Sequence, residues 1–268
     1  MEYEIARKLD VAPSRIIFNG PYKKKEAVQE LLLSGGIVNL DSVAEVPFVI
    51  ELAKNNPTVT LNVGIRCNFK INDGVTSRFG LDVTSPEFSE TIDLLNSQEN
   101  IEIKGMHCHF ASRSLNTWKP RAKGMIDVIN SVCEESPSHI DLGGGLFGKM
   151  KDSLKAQFDS EIPTYVDYAN EAATVIAENF KNVSQKPILF IEPGSALVGD
   201  VMKFVAKVVS IKNVRGKSIA TLLGSIFNIN PTLNTKNPPI TVLQDNNVET
   251  RNYTDLDFAG FTCIESDY

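Results

Sequence analysis

The feature that most constrains the fold of this chain is a repeated order of a short apolar strand followed by a helix. Six apolar segments, centred near residues 17, 38, 62, 106, 141 and 190, have the length and composition of buried strands. Helical patterns occupy the five links between them, at 24–33, 43–54, 85–96, 120–135 and 164–179. Strict alternation of this kind predicts parallel strands joined by right-handed crossovers. We therefore expect an α/β fold, a (β/α)8 TIM-type barrel whose chemistry lies on the loops after the strand C-termini.

The pattern changes after Gly199. Residues 201–214 alternate and are rich in β-branched side chains, and 219–229 and 240–242 are further strand candidates without a convincing helix between them. This texture predicts a second, mainly antiparallel β domain. We therefore expect a barrel domain at 1–199, followed by the start of a C-terminal β domain at 200–268.

Three consecutive glycines, Gly143, Gly144 and Gly145, end the fifth apolar segment. Glycine lacks a Cβ, so its N–H group can approach a ligand closely and its φ can be positive. A strand that delivers such a loop can hold a phosphate through backbone donors, although glycine-rich turns after strands are common. We expect a phosphate site here, and we expect His139, at the start of the same segment, to lie at the surface.

The composition argues against several classes of protein. A net charge of −6, with residues 23–25 as the only basic cluster, argues against nucleic acid as the main partner. No apolar run approaches the roughly 18 residues of a membrane span, and we expect no signal peptide. The four cysteines are scattered without a CxxC pair, which is typical of a reducing compartment. We expect a cytoplasmic protein with no nucleic-acid partner, no membrane partner and no resident metal.

Six motifs stand at the strand ends and near the C-terminus, in chain order. They are residues 18–21 with Lys23, 77–81, 105–112, 141–145, 192–194, and 260–263 with Asp267. In the same order they resemble FNGPxK, SKFGI, GLHCHIGS, LDIGGG, EPGR and GPxC…D. These are motifs of the fold-type III decarboxylases that use pyridoxal 5′-phosphate (PLP), the superfamily of diaminopimelate, ornithine and arginine decarboxylases. The resemblance runs through most of the chain, and its strength lies in the joint order of the six motifs.

The resemblance implies a PLP site in an alanine racemase-like barrel. The glycines at 143–145 would hold the phosphate through backbone N–H groups, helped by the Ser112 hydroxyl, with Gly194 also beside the cofactor. Glu192 would pair with the pyridine nitrogen and keep it protonated, and His109 would stack on the ring. His109 and Glu192 are therefore candidate catalytic residues as well as cofactor-binding residues.

The same resemblance implies that the enzyme decarboxylates an amino acid of the diaminopimelate, ornithine or lysine type. Cys263 would protonate the carbanion after CO2 leaves, and Asp267 would be the carboxylate that receives the distal amine of the substrate. Family precedent brings the cysteine in from a partner subunit, so the resemblance also implies a homodimer with shared active sites.

The chain departs from the family pattern in several places. It has no segment like YAVKAN, in which the family carries its Schiff-base lysine on the first barrel strand, and residues 1–9 resemble the helix before the third strand. Ser195 stands where the family usually has Arg, Leu222 and Leu223 stand where it often has Asp, and the late tyrosine that caps the phosphate has no counterpart. We therefore expect a barrel without its first two strands, in a truncated or split form, and PLP bound without a covalent link.

Three interpretations compete. The first is a PLP-dependent amino-acid decarboxylase, represented here by its central portion, with a substrate that the sequence does not identify. The second is a non-catalytic relative that keeps the fold and binds a protein partner, in the manner of antizyme inhibitor. The third is a (β/α)-barrel protein for another phosphorylated ligand, which gives no reason for Cys263 and Asp267. Retention of His109, Glu192 and the glycines favours the first.

Overall fold

A curled sheet of parallel strands forms the framework of the larger part of the chain. The computed structural model describes residues 2–71, 73–229, 236–243 and 252–268. The strands of this sheet are β1 (Ile17–Phe18), β2 (Ile37–Leu40), β3 (Leu61–Asn68), β4 (Leu81–Asp82), β5 (Ile101–Phe110), β6 (His139–Gly144) and β7 (Ile188–Glu192). They are hydrogen-bonded in the order β1-β2-β3-β5-β6-β7, with the two-residue β4 beside β3, and every pair is parallel. The predicted parallel order of six strands from a TIM-type barrel is confirmed, and the two-residue β4 is an addition to it.

Helices fill the links between the strands, as the alternating pattern predicted. They are α1 (Glu2–Lys8), α2 (Lys25–Leu33), α3 (Val46–Asn55), α4 (Pro86–Asn96), α5 (Trp118–Val132), α6 (Asp152–Lys155), α7 (Tyr165–Asn179) and α8 (Ser195–Val198). Short 3-10 turns at Pro13–Arg15, Val43–Glu45 and Leu115–Thr117 precede strand or helix. The start of α7 is fixed by a capping box, in which the Thr164 hydroxyl accepts from Asp167 N and the Asp167 carboxylate accepts from Thr164 N.

The core lies between the sheet and these helices. All six residues of β6 are buried, which is typical of a central parallel strand covered on both faces. This burial corrects one expectation: His139 is 3% exposed and its ring lies edge-on to Phe190, with ring centroids 5.4 Å apart. The imidazole fits over Gly105 on β5, where a Cβ would lie 2.0 Å from His139 Nε2. A strand buried on both faces leaves no surface position for this histidine.

A smaller unit contains a three-stranded sheet. Strands β8 (Val208–Val214), β9 (Lys217–Leu222) and β10 (Leu256–Ala259) are ordered β10-β9-β8, with β8 and β9 antiparallel and β9 and β10 parallel. A short helix, α9 (Ile226–Ile229), follows β9 where the sequence predicted a continued strand. Residues 201–207 and 240–242, also predicted as strand, are not in strands.

The chain forms two compact units, and the domain boundary expected after Gly199 stays a prediction. One unit comprises Met1–Gly148 and Pro163–Ala196, and the other comprises Lys149–Ile162 and Leu197–Tyr268. The segment Lys149–Ile162 groups with the second unit because the Gln157 side chain donates to Asn237 O, 3.0 Å away, and accepts from Asn237 N at 2.8 Å. A hydrogen bond between residues of two loops leaves no periodic pattern in the sequence, so this grouping could not be predicted from it. Among the described residues, no helix has the length and apolar character that crossing a membrane requires.

Candidate active site

Three neighbouring strand ends place the predicted site residues in one row. The register of β5, β6 and β7 sets His109 beside Gly143, and Gly143 beside Glu192. Parallel strands end at a common edge of the sheet, where barrel enzymes carry their chemistry. The structure therefore brings together three residues that are 34 and 49 positions apart in sequence (143 − 109 and 192 − 143).

Gly143 is a steric requirement of this row. A Cβ at that position would lie 2.1 Å from Glu192 Oε2 and 2.4 Å from His109 Nδ1. Only a residue without a side chain lets the carboxylate and the imidazole meet over the strand end.

The next two glycines leave room for two arginines. Gly144 has a φ of 134°, which L side chains rarely adopt, and a Cβ there would lie 2.3 Å from Arg121 Nη1. A Cβ at Gly145 would lie 2.4 Å from Arg113 Cγ. The glycine loop is thus flanked by two guanidinium groups, one buried and one near the surface.

The Glu192 carboxylate has a donor on each oxygen. Its Oε2 lies 2.8 Å from His109 Nδ1 and 3.4 Å from His107 Nε2, and its Oε1 accepts from Asn19 Nδ2 at 2.5 Å. Burial by itself raises the pKa of Glu192, but the hydrogen bonds from His107 and His109 outweigh it and hold that pKa well below its usual range. The carboxylate is therefore ionised at neutral pH.

An ionised carboxylate only accepts hydrogen bonds, so both histidine nitrogens that face Glu192 must carry protons. Burial lowers the pKa of His107, which leaves this imidazole neutral with its proton on Nε2. Its Nδ1 is buried and, within the described part of the chain, has no hydrogen-bond partner. The expectation that His107 is a buried strand histidine is confirmed, since it is 1% exposed.

A pair of asparagines holds the other side of the carboxylate. Asn39 Nδ2 on β2 donates to Asn19 Oδ1 at 2.5 Å, and Asn19, just after β1, donates to Glu192. Gly64 on β3 makes room for Asn39, since a Cβ there would lie 1.9 Å from Asn39 Oδ1. Because the carboxylate fixes the orientation of the first amide, it also fixes that of the second. These two hydrogen bonds, from Asn39 to Asn19 and from Asn19 to Glu192, form an asparagine relay that connects the first strand of the sheet to the last.

Charged groups are also buried along the inner face of the sheet. Arg66 on β3 pairs with Asp41 at 2.9 Å, and both side chains are 8% exposed. Asp141 on β6 stands beside His107 in the strand register. Burial, with a smaller contribution from the charge of Glu192, raises the pKa of Asp141 to about 7, and Arg66 opposes this shift. The site therefore holds one carboxyl group that is ionised and one that titrates near neutrality.

Arg121 ties α5 to the strand ends. It is fully buried, and its guanidinium donates to Ser112 O at 2.6 Å, Thr117 Oγ1 at 3.0 Å and Gly143 O at 3.3 Å. These acceptors are neutral, and among the residues that the structure describes no carboxylate forms an ion pair with Arg121 behind the glycine loop. Burial lowers the pKa of Arg121, although arginine stays protonated at neutral pH.

Two of the predicted cofactor residues lie close to this row. Ser112 is two residues beyond the end of β5, and its hydroxyl accepts from Ser114 N at 3.2 Å. Gly194 follows β7 by two residues, and a Cβ there would meet no atom within 4 Å. Both roles stay predictions.

The two predicted substrate residues belong to the second unit. Cys263 is exposed. Asp267 is 2% exposed, and its carboxylate accepts from Ser225 Oγ, Ile226 N and Thr262 Oγ1 at 2.9, 2.9 and 2.6 Å. Burial acts to raise the pKa of Asp267, but these hydrogen bonds outweigh it and lower the pKa. Its oxygens are engaged within the unit, so this geometry favours a role in shaping the loop that carries Cys263; contact with substrate stays a prediction.

Sequence reasoning assigned no role to Asn19, Asn39, Arg66 or Arg121. Asn19 stands within the motif at residues 18–21. Asn39 and Arg66 place polar groups within apolar strands, which indicates a site that faces inward. Arg121 falls on the apolar face of a helix at the i+4 position from Thr117, and its partners are carbonyls that no pattern reveals.

The donor set also includes three potential metal ligands. One ligand atom from each of His107, His109 and Glu192 lies within 4.8 Å of the others, the only such group of three or more among the described residues. Glu192 is already held by hydrogen bonds on both oxygens. The expectation of no resident metal stays a prediction.

Residues 1–199 match a sequence profile described as the pyridoxal binding domain of pyridoxal-dependent decarboxylases. Diaminopimelate decarboxylase of Methanocaldococcus jannaschii is 28% identical over 225 residues, which cover 79% of this chain and 50% of the relative. The Haemophilus influenzae diaminopimelate decarboxylase is 28% identical over 221 residues, covering 77% of this chain and 50% of the relative. The chain thus spans about half the length of these curated relatives.

Solved structures show the same fold. The crystal structure of the M. jannaschii diaminopimelate decarboxylase superposes with a TM-score of 0.79 at 24% identity, covering 99% of this chain and 62% of that one. An arginine decarboxylase from Paramecium bursaria Chlorella virus gives a TM-score of 0.69 at 19% identity, covering 99% of this chain and 69% of that one.

Proposed function

The chain belongs to the family of pyridoxal-dependent decarboxylases, and from that membership we propose that it binds PLP and serves the decarboxylation of an amino acid. The proposed substrate class is that of diaminopimelate, ornithine and lysine. The observation that carries the proposal is the row formed by His109, Gly143 and Glu192 on three adjacent strand ends.

The residues present fit such a cofactor. A phosphate ester needs backbone donors free of Cβ atoms, and residues 143–145 offer them in a loop where every added Cβ would overlap a neighbour. A pyridine nitrogen that stays protonated needs an ionised carboxylate, and the hydrogen bonds around Glu192 keep it ionised. The side chain of His109 is 41% exposed, so one side of its ring is accessible to a planar ligand.

Each residue then has a defined task. The loop at 143–145, with the Ser112 hydroxyl and Gly194 N–H, would bind the phosphate. Glu192 would hold a proton on the pyridine nitrogen, and His109 would keep the ring in place. Bound PLP supplies a protonated ring that accepts the electron pair released when the Cα–carboxylate bond of the substrate breaks. Asn19 and His107 keep the Glu192 carboxylate oriented during the reaction.

Cys263 and Asp267 extend the proposal to the second unit. We propose that Cys263 Sγ returns a proton to Cα after CO2 leaves, and that it acts in a homodimer with shared active sites. Asp267 accepts both the Thr262 N–H and the Thr262 hydroxyl, so it stabilises the loop beside that cysteine. The free cysteines among the described residues suit a reducing compartment, and we propose a cytoplasmic location.

We propose that this chain holds PLP without a covalent bond, because no segment of it resembles the family motif that carries the Schiff-base lysine. Dialysis should then remove the cofactor completely, and treatment with borohydride should leave the mass of the chain unchanged. A stable mass increase equal to one reduced PLP adduct on a single lysine would contradict this part of the proposal.

The proposal is tested by PLP binding and by CO2 release. Binding is measured by equilibrium dialysis on this chain, with Gly143→Ala and Glu192→Gln as site variants and Lys123→Arg, at an exposed position on α5, as the control. Gly143→Ala should abolish binding because its Cβ would overlap Glu192 and His109, whereas Lys123→Arg should leave it unchanged. Wild-type chain that binds no PLP, or binding that both site variants leave intact, would end the proposal.

One observation favours the alternative of a non-catalytic protein that binds a partner. All seven residues of β8 are exposed, and four of them are valine or isoleucine residues between 39% and 52% exposed. The enzyme and the non-catalytic partner-binding protein are distinguished by release of labelled CO2 from diaminopimelate, ornithine or lysine. The assay includes a polypeptide that carries the first barrel strand of a family member, with its Schiff-base lysine. Binding of PLP with no CO2 from any of these would favour the alternative.

A further inference from the structure

We propose that Arg113 is a phosphate-binding residue of this site, the group that makes it select a phosphorylated ligand over the unphosphorylated one. The inference rests on the proposed function, since it concerns the ligand held at residues 143–145. It assigns a role to a side chain that lies on the glycine loop and that no motif identified.

The side chain of Arg113 crosses the mouth of the glycine loop. It leaves the backbone three residues after β5 and lies directly on Gly145, where a Cβ would be 2.4 Å from Arg113 Cγ and 3.4 Å from Arg113 Cα. Its Nη2 then donates to Ser195 Oγ, 3.4 Å away, just after β7. One arginine therefore extends from the end of β5, over the loop that follows β6, to the residue at the start of α8.

The base of this side chain is anchored while its tip is accessible. Tyr168 OH donates to Arg113 O at 2.7 Å, and the Tyr168 ring is buried edge-on to Trp118, with ring centroids 5.3 Å apart. The guanidinium lies 5.7 Å from the centroid of the Phe147 ring, which offers it a flat surface. A fixed backbone with a polar tip at the loop is the arrangement that a ligand-binding arginine needs.

The charge of Arg113 is not paired with an acid. Among the described residues, no carboxylate oxygen lies within 4.0 Å of its guanidinium, whereas Arg66 pairs with Asp41 and Arg7 with Glu30. Its side-chain hydrogen bond to Ser195 is long and goes to a neutral oxygen. A guanidinium in this state can form two parallel, charge-assisted hydrogen bonds to a phosphate.

The two arginines beside the loop differ in what remains available to a ligand. Arg121 is fully buried and already donates to two carbonyls and a hydroxyl. Within the described part of the chain, the Arg113 guanidinium has one side-chain hydrogen bond, to Ser195, so most of its five N–H donors have no protein acceptor there. Arg121 therefore shapes the loop from behind, and Arg113 binds the phosphate from in front.

The experiment compares PLP with pyridoxal, which lacks the phosphate. Equilibrium dialysis gives both affinities for wild type, Arg113→Gln and Arg15→Gln, the last an exposed arginine outside the site. We expect Arg113→Gln to weaken PLP about tenfold or more, as the loss of a charge-assisted contact does, and to leave pyridoxal unchanged. Arg15→Gln should change neither. Equal losses for PLP and pyridoxal, or no loss for PLP, would overturn the role of Arg113.

A second measurement needs no variant and therefore does not depend on how Arg113→Gln folds. Phenylglyoxal modifies accessible arginines, and peptide mass spectrometry gives the rate at each position. PLP and inorganic phosphate should each protect Arg113, pyridoxal should not, and Arg15 should react at one rate throughout. Modification of Arg113 at the same rate with and without PLP, under conditions where dialysis shows PLP bound, would refute the inference and leave the proposed function standing. Failure of wild type to bind PLP at all would count against the proposed function itself.

Discussion

At the scale of single residues, the Glu192 carboxylate depends on three donors from two separate strands. His107 and His109 come from β5, and Asn19 follows β1, so no single substitution removes every partner. An imidazole nitrogen that loses its proton changes from hydrogen-bond donor to acceptor. The Asn19 amide nitrogen, unlike the two histidines, is a neutral donor at every pH. It therefore sets the position of Oε1 independently of the histidines.

We predict that Asn19→Asp raises the pKa of Glu192 by about one pH unit or more, because a donor is replaced by a like charge. The change keeps the size and shape of the side chain. As the pH is lowered from 7, the carboxyl signal of 13C-labelled glutamate, assigned with Glu192→Gln, should begin to titrate at a higher pH in the variant than in wild type. Asn62→Asp, which alters an amide whose bond to Gly35 O is 3.4 Å long, is the control. Identical titrations of Glu192 in wild type and Asn19→Asp would contradict the prediction.

Asp141 gives a second prediction at this scale. Its pKa is about 7 in the folded chain against an ordinary value of 3.8. The folded state therefore binds more protons than the unfolded state between these values, and ionisation of Asp141 destabilises the fold as the pH rises from about 4 to 8. Asp141→Asn should remove this penalty, so the stability of the variant relative to wild type should rise by about 2 kcal/mol between pH 5 and pH 8.

Urea unfolding followed by the fluorescence of Trp118, the single tryptophan and a buried one, measures this difference within the barrel unit. Asp127→Asn, an exposed position on α5, is the control and should show no such pH dependence. A stability difference that is the same at pH 5 and pH 8 would show that Asp141 ionises normally.

At the scale of elements, the order of strands and helices could be predicted from the sequence because apolar runs and helical periodicity are local signals. Strands at β1, β2, β3, β5, β6 and β7 lie where the sequence predicted them. Two-residue β4 was missed because it is too short to show a period. Helix α5 begins at Trp118, two residues before the expected Pro120, because a 3-10 turn at Leu115–Thr117 runs into it.

The site was only partly predictable for the same reason. His109, Glu192 and the glycines stand at strand ends, which the alternating pattern locates. The asparagine relay and the carbonyl partners of Arg121 join elements that are distant in sequence, and no local period records such contacts. The last part of the chain was less predictable because β9 pairs with β10 across 34 residues, from Leu222 to Leu256.

We predict that Arg121→Lys weakens the link between α5 and the glycine loop. Lysine cannot reach Gly143 O and Ser112 O together, so buried carbonyls lose their donor at a cost of about 2 kcal/mol or more. PLP affinity should fall with it, because the loop backbone is no longer held. Urea unfolding and equilibrium dialysis measure the two effects, with Lys123→Arg on the exposed side of α5 as control. Unchanged stability would mean that Arg121 does not tie the helix to the loop.

At the scale of the whole molecule, the fold leaves apolar side chains exposed on two edge strands, β7 and β8. β8 is an edge strand with every residue exposed, and Ile188, Phe190 and Ile191 on edge strand β7 are between 38% and 63% exposed. Unpaired edges with apolar side chains promote association with other chains. The chain spans about half of its curated relatives, which include regions that have no counterpart among these residues.

We predict that the purified chain associates through β8. Val209 lies at an irregularity in the β8–β9 register and is 52% exposed, so Val209→Lys adds a charge to the edge without breaking the ladder. Light scattering after size exclusion should show a smaller mean mass for this variant than for wild type. Val75→Lys, at another exposed valine, should not change the mass. Equal masses for wild type and Val209→Lys would exclude β8 as the associating surface.

The hydrogen bond from Asn19 to Glu192 also has a consequence for synthesis on the ribosome. Its partners are 173 residues apart, near the start and at the end of the sheet. Long-range contacts form late, since the chain between them must be made and ordered first. The carboxylate acquires its full set of donors only after β7 has left the exit tunnel and joined β6. The binding site is therefore the last part of the barrel unit to mature, and a ribosome stalled before residue 192 displays a partly folded sheet without a functional site.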